Sequence, residues 1–188
     1  VLIGLKNSGT VAGVLLMLAA IVFSAGMFVS ESMHTGYNPS RDLISELGVG
    51  PGAVFFNYGA ILAGLLVIAS SFSASFKNIF VFLLTVAAFG LLGVGIFPET
   101  MAGQHFVAAS VTFIFAGLAA VASYSFSEPP LNKVFLALGA LSLCALALFS
   151  LQIFLGLGPG GMERLMAYPI LIWSLLFGYS LVEKRDLW

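Results

Sequence analysis

The stretch "IFVFLLTVAAFGLLGVGIFPETMAGQH", residues 79–105, decides the fold class of this chain. Its first nineteen residues carry no ionisable side chain, and about twenty apolar residues are what a helix needs to cross a bilayer. Pro98 then ends the run, Glu99 to Gln104 form a polar turn, and a second apolar run starts at once. Two spanning helices joined by a short turn are what this pattern describes.

The rest of the chain repeats that theme. Of its 188 residues, 60% are hydrophobic and only 8% charged, and the mean hydropathy is +1.10. A soluble domain would need about 25% charged residues to clothe a core of this size. Six apolar stretches qualify as spans, over residues 10–29, 53–72, 79–97, 103–125, 133–156 and 163–182. No period-two alternation marks barrel strands, and a backbone in lipid must pair internally, so the spans are helices. The first run exceeds the about 7–15 residues of a signal peptide core and is read as a helix. The expected fold is all-α: a single six-helix transmembrane domain over residues 1–188.

Charge sets the expected orientation through the Lys/Arg bias of short loops. Placing the N-terminus inside puts Lys6, Lys77, Lys133, Lys184 and Arg185 on the cytoplasmic side. Only Arg41 and Arg164 then lie outside, together with the acids Glu31, Asp42, Glu46, Glu99 and Glu163. Both termini are therefore expected in the cytoplasm, in a multi-pass protein of the cell membrane. The net charge of −1 offers nothing to nucleic acid, and membrane lipids are the expected partners. The lone Cys144 excludes a disulfide framework and reads as a small packed hydrophobe.

Nearly all unusual polarity falls in the three outer connections. The first contains "NPSRDLISELG" (38–48), which reads as a short amphipathic helix with Asn38 or Ser40 as cap and Gly48 past its end. Asp42 and Glu46 would share one face of it, and Leu43, Ile44 and Leu47 the other. The turns "GVGPG" (48–52) and "GLGPGG" (156–161) resemble each other, each with Gly ending one element and Pro opening the next. His34 and His105 both lie on this side, as do Asn57 and Gln152.

Polar groups converging near one membrane level point to a site. Its expected members are His105, Glu99, Arg164, Glu163, Asn57, Arg41, Ser45 and Glu46. Arg164 or Arg41 would hold an anionic group by its planar fork, with His105 and Asn57 hydrogen-bonding it. In a catalytic alternative His105 is the general base, oriented by Glu99 or Glu163. A hydrolase triad of Ser45, His105 and Glu99 lacks a nucleophile elbow. No HExxH or paired-cysteine spacing supports a metal, and no cofactor is expected. The midplane holds no charge, which argues against an ion pump or proton-coupled carrier.

Several of these residues also carry a resemblance. "SELG" (45–48), Pro51, "FN" (56–57), "GIFPE" (95–99) with His105, and "GGMERL" (160–165) followed by Pro169 occur in that order. The chain resembles the six-helix membrane family known as domain of unknown function 998, widespread in archaea and bacteria. The resemblance implies a six-helix fold and no settled activity. Taken together, the expected function is an outward-facing polar pocket for a lipid headgroup or small amphiphile. A membrane enzyme acting on such a lipid is one alternative, and an assembly or scaffold subunit without a small-molecule site is another.

Overall fold

The structure, a computed structural model, describes residues 2–183, with side chains from Ser8 onward. Lys184, Arg185 and the Lys6 side chain, three of the cations in the orientation argument, lie outside the described residues. Six α-helices are present: α1 Leu2–Met33, α2 Ala53–Ser73, α3 Asn78–Ile96, α4 Ala102–Ala122, α5 Leu131–Ser150 and α6 Gly158–Glu183. Short 3-10 turns occupy Ser45–Gly48, Glu99–Met101 and Ser123–Phe126, and no strand occurs among the described residues. All six helices are long and apolar enough to cross a membrane. Large apolar side chains such as Phe72, Phe82, Phe89 and Val107 stand exposed on the exterior, where lipid replaces water as the solvent. This is an integral membrane protein with six transmembrane helices.

Two expectations are corrected. The fifth helix stops at Ser150 rather than Gly156, because Gln152 and Leu155 take positive φ and Gly156 follows in the same region. The intervening "LQIFLGL" (151–157) is as apolar as a helix, so hydropathy does not reveal the break. Cys144 is exposed on α5 instead of packed inside.

Each helix packs on its neighbours in sequence and α6 returns to α1, so the bundle closes as a ring. Contact between α4 and α6 also closes the ring behind α5. Close approach at the closing seam depends on glycine: a β-carbon on Gly13 would overlap the Gly178 carbonyl, and one on Gly178 would come 2.7 Å from the Gly13 carbonyl. The connections 34–52, 97–101 and 151–157 share one end of the bundle, here the loop end. At the opposite end an aromatic plug fills the ring. Trp173 stacks on Phe177 at 5.6 Å, while Phe80 and Phe135 meet Phe177 edge-on at 5.4 and 5.7 Å. Such pairs add about 0.5–1.5 kcal/mol each beyond their burial. The plug's one indole N–H is satisfied, since Trp173 Nε1 donates to Ser123 Oγ at 3.0 Å.

The seam gives a direct test. Gly178→Val should lower stability by about 1–3 kcal/mol through overpacking, read as a drop in thermal midpoint of the detergent-solubilised protein. Gly103→Ala, where a β-carbon meets nothing within 4 Å, should leave that midpoint unchanged or slightly raised.

Candidate functional site

The first connection, residues 34–52, folds back over the loop end of the ring. It holds no amphipathic α-helix; only Ser45–Gly48 is helical, as a 3-10 turn. The reason lies in α6, whose side chains take the backbone groups that a helix would use. Glu163 Oε2 accepts the N–H of Ile44 and, at 3.4 Å, that of Ser45. Arg164 Nη1 donates to the carbonyls of Pro39 at 2.8 Å, Asp42 at 3.2 Å and Gly160 at 3.1 Å. Asn38 still caps a turn, with Oδ1 accepting from Ser40 N at 3.0 Å, but the turn ends at Asp42.

Arg164 also binds Tyr37 and Glu31 through Nη2, at 2.9 and 3.3 Å, and lies 5.3 Å from the centre of the Tyr37 ring. Tyr37 in turn donates its hydroxyl to the Leu43 carbonyl at 2.7 Å. Gly160 sits so close to the loop that a β-carbon there would overlap the Asp42 carbonyl. Ser40 completes this end: its carbonyl accepts from Gly160 N and Gly161 N at 3.0 and 3.3 Å, and its hydroxyl binds the Leu157 carbonyl. At the other end of the loop, Ser30 Oγ donates to the Leu47 carbonyl at 3.0 Å and Asn57 Nδ2 to the Gly48 carbonyl at 2.9 Å. The two look-alike glycine-proline turns thus serve one structure: the first ends the lid and the second receives it.

Beneath the lid lies a cavity of about 110 Å³ on the bundle axis. Helices α1, α2, α3, α4 and α6 line it, and α5 does not. Eight of the lining residues are alanines, among them Ala20, Ala63, Ala109 and Ala116, which explains why the middle of the ring is not filled. The wall is apolar along most of its length, and Trp173 of the aromatic plug lines its deep end. Polarity gathers under the lid, where Ser45, His105 and Glu163 line the cavity with 7%, 6% and 8% of their surface exposed. His105 Nδ1 stands 2.7 Å from the Phe97 carbonyl. A carbonyl can only accept, so Nδ1 carries a proton, and in the neutral ring Nε2 is an acceptor.

The eight expected site residues therefore separate. His105, Glu163 and Ser45 meet at the cavity. Glu99 and Glu46 line a different feature, a shallow outward cleft shared with His34. Asn57 and Arg164 hold the lid, and Arg41 is exposed, bonded to Asp42 at 2.6 Å. That bond and the Asn38 amide hold the Asp42 carboxyl at about 2. The orienting partner of His105 is the Phe97 carbonyl rather than Glu99 or Glu163. Among the described residues no group of three His, Cys, Asp or Glu side chains could hold a metal. Sequence reading missed Tyr37, Ser30 and Ser40 as lid contacts. It also missed the alanine stripe, whose signal was small residues recurring at helical spacing, as in Ala109, Thr112 and Ala116.

Two outcomes follow from the lid contacts. Arg164→Lys should not replace the planar fork, costing about 2 kcal/mol and speeding amide hydrogen exchange at Ile44 and Ser45. Burial pushes the Tyr37 phenol up to about 12, so its neutral form is the one the fold favours. The resulting stability is fully present below about 10, the ordinary tyrosine value, and is lost as pH rises towards 12. A phenolate absorbance titration of wild type against Tyr37→Phe should show one late-titrating tyrosine missing in the variant.

No curated protein and no solved structure matches the chain. The family whose model does match is described as "Protein of unknown function (DUF998)", and the match runs over residues 17–180, from within α1 to within α6. It takes in the lid, the cavity lining apart from Leu16, and the Glu163–Arg164 pair, and on it the chain belongs to this family of unknown function.

Proposed function

We propose that this protein binds a single apolar chain of a membrane amphiphile in the axial cavity, with the polar head held under the lid by His105, Glu163 and Ser45. The observation that carries the reading is an alanine-lined slot ending in three polar side chains that are each more than nine-tenths buried. Eleven residues of α6 separate Glu163 from Ser174, both on the wall, so the slot extends over about 16 Å at 1.5 Å per residue. The same arrangement supports a binding role over the scaffold alternative, which has no use for buried polar groups beside a void.

In this reading the loop end faces outward and both termini lie in the cytoplasm of a cell whose surface membrane holds the protein. Lys77 and Lys133 at the plug end support that orientation. Arg164 and Asn57 act on the ligand indirectly, by keeping the lid closed, while Glu46, Glu99 and Arg41 stay outside it.

Ala116→Leu is the test, because it fills the slot from α4 without touching the lid. Filling a cavity commonly adds about 0.5–2 kcal/mol, so the variant should be at least as stable as wild type. Native mass spectrometry of gently extracted protein should find a single-chain amphiphile on wild type and none on the variant. Equal lipid retention by both proteins, or none on wild type, would sink the proposal.

A further inference from the structure

We infer that the head group received under the lid is an uncharged or cationic hydrogen-bond donor, a hydroxyl or primary amine on a single chain, and not a carboxylate or phosphate. This deepens the reading above and rests on it. Glu163 uses Oε2 for the amides of Ile44 and Ser45, and among the described residues Oε1 has no hydrogen-bond partner. His105 commits Nδ1 to Phe97, and Nε2 likewise has none. Two acceptors on side chains more than nine-tenths buried are thus left for a donor to satisfy.

No compensating cation faces the cavity among the described residues. Arg164 is turned to the lid carbonyls, Arg41 is exposed against Asp42, and Lys77 lies over the Phe126 ring at the far end. The other polar wall groups are hydroxyls, of which Thr112 already donates to the Ala108 carbonyl at 2.9 Å. An anionic head would therefore sit beside the acidic Glu163 side chain with no cation to receive it, and a buried charge without a partner is costly. Selection has to come from the head. The bilayer offers a tail surroundings as apolar as the slot, so the tail gains little by moving.

Trp173, at the deep end of the slot, supplies the readout. The sequence has two tryptophans, so in a Trp188→Phe background the emission is that of Trp173. The probes are 12-bromododecan-1-ol, 12-bromododecylamine and 12-bromododecanoate, added to protein in nanodiscs and compared at equal membrane partition. The alcohol, the amine or both should quench Trp173 at a concentration at least tenfold lower than the carboxylate. His105→Ala should shrink that preference to less than about threefold, and Glu163→Gln should remove any advantage of the amine over the alcohol. Equal quenching by all three probes, or strongest quenching by the carboxylate, would overturn the head-group inference and leave chain binding standing. Absence of quenching by any of them would remove chain binding itself, and the inference with it.

Discussion

Two adjacent side chains on α6, Glu163 and Arg164, organise the loop end of the molecule. A connection that closes over an apolar bundle brings its own N–H and C=O groups out of water, and each must find a partner. The loop cannot supply those partners by coiling, because it has to spread across the ring. The carboxylate therefore takes amides at Ile44 and Ser45, and the guanidinium takes carbonyls at Pro39 and Asp42. Opposite charges side by side on one helix match the two kinds of orphan group on a neighbouring loop. Glycines at 158 and 160 bring the backbones close enough for this exchange.

That clamp gives the alanine stripe its meaning. A ring of helices with alanine facing the axis has an unfilled centre, and a void of 110 Å³ costs roughly 3 kcal/mol at about 24 cal/mol per Å³. Larger side chains at Ala63 or Ala116 would recover that energy. The aromatic plug shows that the same bundle can fill its axis where it is sealed, with Trp173, Phe177, Phe80 and Phe135 packed against one another. The contrast between a tightly filled end and a hollow middle lies within one set of helices. It does not come from a generally loose fold.

What could be read from the sequence follows from what hydropathy measures. Six spans stood out because each is a long apolar run broken by Pro, Gly or charge, as at Pro98 and at Gly48 to Gly52. The end of the fifth helix was hidden, since Leu151 to Leu157 are apolar and the break is made by backbone angles at Gln152 and Leu155. The supposed loop helix had a proper cap in Asn38 and a proper stripe in Ile44 and Leu47. Contacts from α6, more than a hundred residues away, captured its hydrogen-bonding groups. The partners of Arg164 were hidden for the same reason: the carbonyls of Pro39 and Asp42 that it binds belong to a loop far away in sequence. His105 could be expected to face inward because an imidazole has no stable place in lipid.

The position of the three buried polar groups narrows what the slot is for. Had polarity run along the whole axis, the cavity would resemble a water or ion path, open to polar solutes at mid-depth. Instead the wall between plug and lid is mostly apolar; its other polar side chains are the hydroxyls of Thr112, satisfied by its own helix, and of Ser174 at the plug end. A small polar solute would leave most of this wall uncovered, and a wholly apolar one would leave Glu163 Oε1 and His105 Nε2 unmet. On the proposed reading, a molecule with one polar end and one apolar end matches both features, with the lid over the polar end.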